Sequence, residues 1–119
     1  NFNTGMQINL QSKNMELTND IKDYALKRVT NLEKLLSRLQ EDGGEVKVLF
    51  EISRSTNHHK AGEVFHADCS INIDGKNFYA ANDSEDLYSA IDSVKEILFK
   101  EISKEKSREQ NPSQRESPP

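Results

Sequence analysis

The residues most able to do chemistry are few. The sequence holds one cysteine, Cys69, and three histidines, His58, His59 and His66. In EVFHADCSINI, Cys69 falls on the same alternating face as Phe65, Ala67, Ile71 and Ile73, where a thiol acts as a small buried hydrophobe rather than a nucleophile. His66 lies on the opposite face of that segment, and His58 and His59 lie in the polar stretch STNHHKAGE. A surface histidine pair could hold a metal, but no spacing here matches a zinc site. Carboxylates are plentiful, yet nothing in the pattern puts two of them in one pocket. There is no glycine-rich phosphate loop. The expectation is a protein that is not an enzyme, with no cofactor, no metal and no small-molecule substrate.

The cations are more informative. The formal net charge is -4, but it is unevenly spread. Residues 19 to 39 carry Lys22, Lys27, Arg28, Lys34 and Arg38 against Asp20, Asp23 and Glu33, a net of +2. Residues 84 to 102 carry Lys95 and Lys100 against five acids, a net of -3. At about 100° per residue of a helix, Lys27, Asn31, Lys34 and Arg38 share one narrow strip away from the apolar stripe. Such a strip matches a run of phosphates. The same residues also suit ordinary solvated positions, and composition alone favours that plainer reading.

These side chains must be positioned by a small set of elements. Met6, Ile8 and Leu10 alternate with Gln7, Asn9 and Gln11, which predicts a strand buried on one face. In LTNDIKDYALKRVTNLEKLLSRLQ, Thr18 can cap a long helix whose stripe is Ile21, Ala25, Val29, Leu32, Leu36 and Leu39. Gly43 and Gly44 close it. EVKVLFEIS and EVFHADCSINI are strands, and Asp74-Gly75 suits the two-residue hairpin turn into a fourth strand, KNFYAA. SEDLYSAIDSVKEIL, residues 84 to 98, places Leu87, Ile91, Val94 and Leu98 on one helical face, with Asp83 or Ser84 as cap and Glu85 and Asp86 in the first turn. This helix is expected to end near Ile102. Its outer edge holds Ser89, Ser93, Lys100 and Lys104. The order β-α-β-β-β-α gives an α+β two-layer sandwich, with two helices on one face of a four-stranded sheet.

Composition sets the remaining bounds. The chain has 119 residues, enough for one core, and its apolar share of 34% leaves some segments outside it. Residues 103 to 119 contain no apolar side chain and are expected to be a disordered tail with a net charge of +1. Residues 1 to 5 are read as an expression scar. A lone cysteine fits a reducing compartment, and no apolar run approaches the roughly 18 residues of a membrane span. A cytoplasmic protein without a membrane partner is expected.

MQINLQSKNMELT, the NLEKL within the first helix, and DGKNFYAANDSEDLYSAID before the second closely resemble the ribosome hibernation promoting factors, also called ribosome-associated inhibitor or sigma-54 modulation proteins. The likeness spans about residues 6 to 102, and SEDLYSAID is its most specific part. It implies a topology like that of double-stranded RNA-binding domains. It also implies binding to the small ribosomal subunit and its ribosomal RNA, within the whole ribosome, where messenger RNA and the A-site and P-site transfer RNAs would lie. Translation is thereby silenced in starvation. The RNA contacts so implied are Lys22, Lys27, Arg28, Lys34 and Arg38, then Lys95, Lys100 and Lys104. Family members often carry a basic run late in the second helix, whereas FKEISKEKSRE interleaves acid with base. Long forms have a second domain after a linker, and this sequence is read as a short form or an N-terminal domain. The other reading is a protein-interaction module that acts on sigma-54-dependent transcription through an open sheet face.

Overall fold

A computed structural model describes residues 6–39, 45–56 and 63–110. Its elements are β1 (Met6–Lys13), α1 (Asn19–Thr30), α2 (Glu33–Leu39), β2 (Val46–Thr56), β3 (Glu63–Ile73), β4 (Lys76–Ser84) and α3 (Leu87–Gln110). The four strands form one sheet in the order β1-β2-β3-β4, with β1 parallel to β2 and the other pairs antiparallel. The helical segments between β1 and β2 form the crossover that a parallel pair requires. Asp74 and Gly75 both have positive φ, 50° and 81°, as a tight hairpin between β3 and β4 demands.

One face of the sheet makes the core. Val46, Val48, Phe50 and Ile52 of β2 and Ala67, Cys69, Ile71 and Ile73 of β3 are buried against Ile21, Val29, Leu32, Leu36 and Leu39, and against Leu87, Ile91, Val94, Leu98 and Ile102 of α3. This is the expected α+β two-layer sandwich, with three helices instead of two. Alternation puts the intervening strand residues on the other face, where successive rows across the sheet are set by register. One row reads Asn9, Leu49, Ser70, Tyr79, and another reads Lys13, Ser53, His66, Asp83.

Three boundaries depart from the sequence reading. The single long helix is interrupted at Asn31 and Leu32. There the Leu32 amide bonds the Val29 carbonyl at 2.9 Å, a tightened turn, and the Thr30 hydroxyl donates to the Lys27 carbonyl at 3.0 Å. Back-bonding of this kind bends helices. The Thr18 cap is as expected, its hydroxyl accepting from the Ile21 amide at 3.3 Å. At the other end of the chain, β4 runs through Asp83 and Ser84, which pair with His66 and Phe65. The cap of α3 is therefore Asp86, whose carboxylate accepts from the Ser89 amide at 3.3 Å and the Ser89 hydroxyl at 2.8 Å. Glu85 and Asp86 precede the helix instead of forming its first turn. Finally, α3 passes Ile102 and continues to Gln110. Residues 103 to 110 are good helix formers, and extending an existing helix costs far less than nucleating one. The i,i+3 pairs Glu101–Lys104 and Glu105–Arg108, at 4.0 and 3.8 Å, lie along this extension. Residues 1–5 and 111–119, Gly43 and Gly44, and the loop holding His58 and His59 lie outside the described residues.

Candidate nucleic-acid interface

The α1–α2 segment presents its cations outward because the buried stripe fixes its rotation. Ile21, Ala25, Val29, Leu32, Leu36 and Leu39 face the core, so Lys22, Lys27, Asn31, Lys34 and Arg38 are left exposed. Lys34 and Arg38 stand one turn apart on α2, and Lys27 stands in the last turn of α1. The break at Asn31 thus divides the strip between two helices without turning any member inward. On α3, Lys100 and Lys104 are exposed, with Lys104 near Glu101. Ser89 is exposed and engaged by the Asp86 carboxylate, while Ser93 is half-buried.

Three of the eight candidate cations are engaged by the protein, Lys104 by Glu101 alone at 4.0 Å and two others, Arg28 and Lys95, by more than one group. The Arg28 Nε donates to Asp92 Oδ1 at 2.7 Å, and its guanidinium carbon lies 4.0 Å from the centre of the Tyr24 ring. Tyr24 in turn donates its hydroxyl to the same carboxylate, at 2.9 and 3.0 Å to its two oxygens, and meets Tyr88 edge-on at 4.6 Å. The hydrogen bond to Asp92 raises the Arg28 pKa further, and burial, then Asp92, raises that of the Tyr24 phenol. Lys95 is the second such cation: it is half-buried, with its ammonium 3.5 Å from Glu96 and 5.6 Å from the centre of the Phe99 ring. In the sequence Asp92 registers only as one more negative charge, and the Tyr24-Arg28-Asp92 cluster escapes notice. The available signal is the i,i+4 spacing of Tyr24 and Arg28, which puts an aromatic ring under a guanidinium.

The opposite sheet face has a different character. Its centre is a shallow concavity lined mainly by uncharged side chains, among them Gln7, Asn9, Gln11, Ser70 and Asn72, together with the exposed Lys47. Leu49 and Tyr79 are exposed there. At one end, His66 presents Nδ1 to Asp83 at 2.5 Å and Nε2 to Asp68 at 3.0 Å. Hydrogen bonding to Asp83 is the main cause of a raised His66 pKa, because both ring nitrogens can donate only in the imidazolium. Cys69 is buried on the core side, and burial, with a smaller contribution from Asp68, pushes its thiol up to about 12. A thiol so hard to ionise is inert.

What this arrangement can do is bind an extended anion on the helix side. Exposed lysine and arginine side chains neutralise phosphates and release their counterions, and helices set their spacing. The family model described as sigma 54 modulation protein / S30EA ribosomal protein matches residues 8–110. The chain belongs to this family. Among the family's named relatives, the ribosome hibernation promoting factor of Klebsiella oxytoca is 23% identical over 103 residues, covering 87% of this chain and 96% of that protein. That of Pseudomonas putida is 24% identical over 106 residues, covering 89% and 92%. The crystal structure of the Thermus thermophilus Protein Y N-terminal domain is similar at 26% identity, with a TM-score of 0.66, covering 83% of this chain and 98% of that one. A ribosomal subunit interface protein from Coxiella burnetii shares the fold at 19% identity, with a TM-score of 0.55. No described helix is long and apolar enough to cross a membrane.

Proposed function

We propose that this chain is a ribosome hibernation factor that silences translation by occupying the small subunit, where messenger RNA and the A-site and P-site transfer RNAs would lie, during starvation. The observation that carries this reading is the set of exposed cations on the helical layer, Lys22, Lys27, Lys34, Arg38 and Lys100, in a chain whose family and named relatives are ribosomal. The mechanism is steric and needs no catalytic group. Affinity comes from phosphate contacts, which carry little sequence information. Selectivity then comes from the shape of a folded RNA cleft. The interleaved acids of α3 put most of the binding on α1 and α2.

The test is inhibition of translation and cosedimentation with small subunits by Lys27→Glu with Lys34→Glu. Loss of both activities in a folded variant is expected, and full inhibition by that variant would reduce the strip to a solvated face. A second reading draws on exposed Leu49 and Tyr79, which suit a protein partner on the open sheet face and hence the transcriptional role in the family description. Retention on sigma factor without retention on small subunits would favour it.

A further inference from the structure

We infer that Asp92 is a positioning residue for the RNA-binding surface, and that Arg28 serves as its clasp partner and not as a phosphate ligand. The inference rests on the ribosome-binding reading and specifies how its surface is held. Asp92 is held by two donors of α1: Arg28 Nε donates to Oδ1 at 2.7 Å, and the single Tyr24 hydroxyl proton is shared between the two carboxylate oxygens at 2.9 and 3.0 Å. Donors and acceptor are separated by 64 and 68 residues, so the cluster joins α1 to α3 and does no local helical work. The guanidinium is also stacked on Tyr24, and Tyr24 is braced by Tyr88 from α3. Arg28 keeps only 27% of its side-chain exposure.

The geometry has a consequence for the strip. Lys27 precedes Arg28 by one residue, about 100° around the helix, so fixing the direction of Arg28 fixes that of Lys27. The apolar stripe of α1 holds that helix on the core but tolerates rocking, because hydrophobic contact has no direction. A carboxylate receiving bonds from two positions one turn apart removes that freedom. Asp92 is also 47% exposed, so without Arg28 it would present an uncompensated anion beside an RNA-binding surface.

These roles make opposite predictions for one substitution. Asp92→Asn removes a negative charge from a protein that binds a polyanion, and simple electrostatics calls for tighter binding. If Asp92 positions α1, binding weakens instead, by at least about fivefold, the lower end of ordinary coupling between sites. The salt dependence stays as steep as in wild type, because no phosphate contact is deleted. Asp92→Glu retains the carboxylate and is expected to recover part of the loss. Cosedimentation with purified small subunits across a salt series, with urea midpoints as a check on folding, reads both variants against wild type. If Asp92→Asn does not fold, Tyr24→Phe, which deletes one donor and no charge, is judged on the same two criteria. Weaker binding with an unchanged slope supports the clasp. Tighter or unchanged binding overturns it, as does a slope reduced by about one. A wild-type chain that fails to bind small subunits overturns the functional reading and the clasp together. Salt-dependent wild-type binding combined with a tighter Asp92→Asn complex overturns the clasp alone.

Discussion

The two faces of this molecule differ in how many of their cations are left without a carboxylate partner. On the open sheet face, Lys13 is paired with Glu51 at 3.3 Å, and His66 sits between Asp83 and Asp68. The surface between these groups is largely carboxamide and hydroxyl, with Lys47 as its one cation among the residues lining the central concavity. On the helical layer, no ion pair engages Lys22, Lys27, Lys34, Arg38 or Lys100 among the described residues. An unpaired cation keeps its full charge for a partner, whereas a paired one must first break a contact. The difference matters more than the net charge of -4, which would exclude a polyanionic partner if it were spread evenly.

Charge changes on the helical layer should therefore have the largest effects on binding. Lys100→Glu is expected to weaken small-subunit binding and to lower the salt slope by about one. Glu96→Lys, four residues earlier on the same helix, should tighten it, and a titration with fluorescent chain measures both. Equal affinities for the two variants would break the distinction between faces. Cys69→Ala, in the layer between them, should cost on the order of 1 kcal/mol of unfolding free energy and leave binding intact. Loss of binding by a folded Cys69→Ala chain would show that the thiol had been misjudged.

A subtler effect belongs to His66. Its pKa is raised in the folded chain, so the stability it adds is fully present below the ordinary histidine value of 6.5 and disappears as pH rises through the higher folded value. Comparing wild type with His66→Gln by denaturant unfolding from pH 5 to 9 should show the two curves converging toward high pH. More than a third of this side chain is exposed, so solvent screening keeps the difference small. The smallest expected effect is that of Tyr79→Ser. It should leave ribosome binding unchanged, and a marked loss would assign the sheet face a part in binding.

Much of this contrast was legible from residue types alone, because the features concerned are local. The Thr18 cap, the Asp74-Gly75 turn and the alternation in β1, β2 and β3 each follow from neighbours a few residues apart. The break at Asn31 was not legible. A stripe running Val29, Leu32, Leu36 keeps helical spacing whether or not the backbone tightens between its first two members. Nor was the extension of α3 to Gln110, since an absence of apolar residues argues against packing but not against continuing a helix already begun. The start of α3 was misplaced because Asp83, Ser84 and Asp86 are all plausible caps, and only strand pairing with His66 and Phe65 excludes the first two. The candidate cations were legible as residues, but their accessibility was not. Arg28 and Lys27 are adjacent and equivalent in sequence, and only contact with Asp92, far along the chain, separates one from the other.

The most direct measurement is the affinity of the wild-type chain for small subunits as a function of salt, set beside that of Lys27→Glu with Lys34→Glu. If the helical cations bind phosphates, log K for wild type falls linearly with log salt, and the double variant binds more weakly with a slope shallower by about two. Wild-type affinity independent of salt, or a double variant with the wild-type slope and affinity, would contradict the assignment of binding to this face.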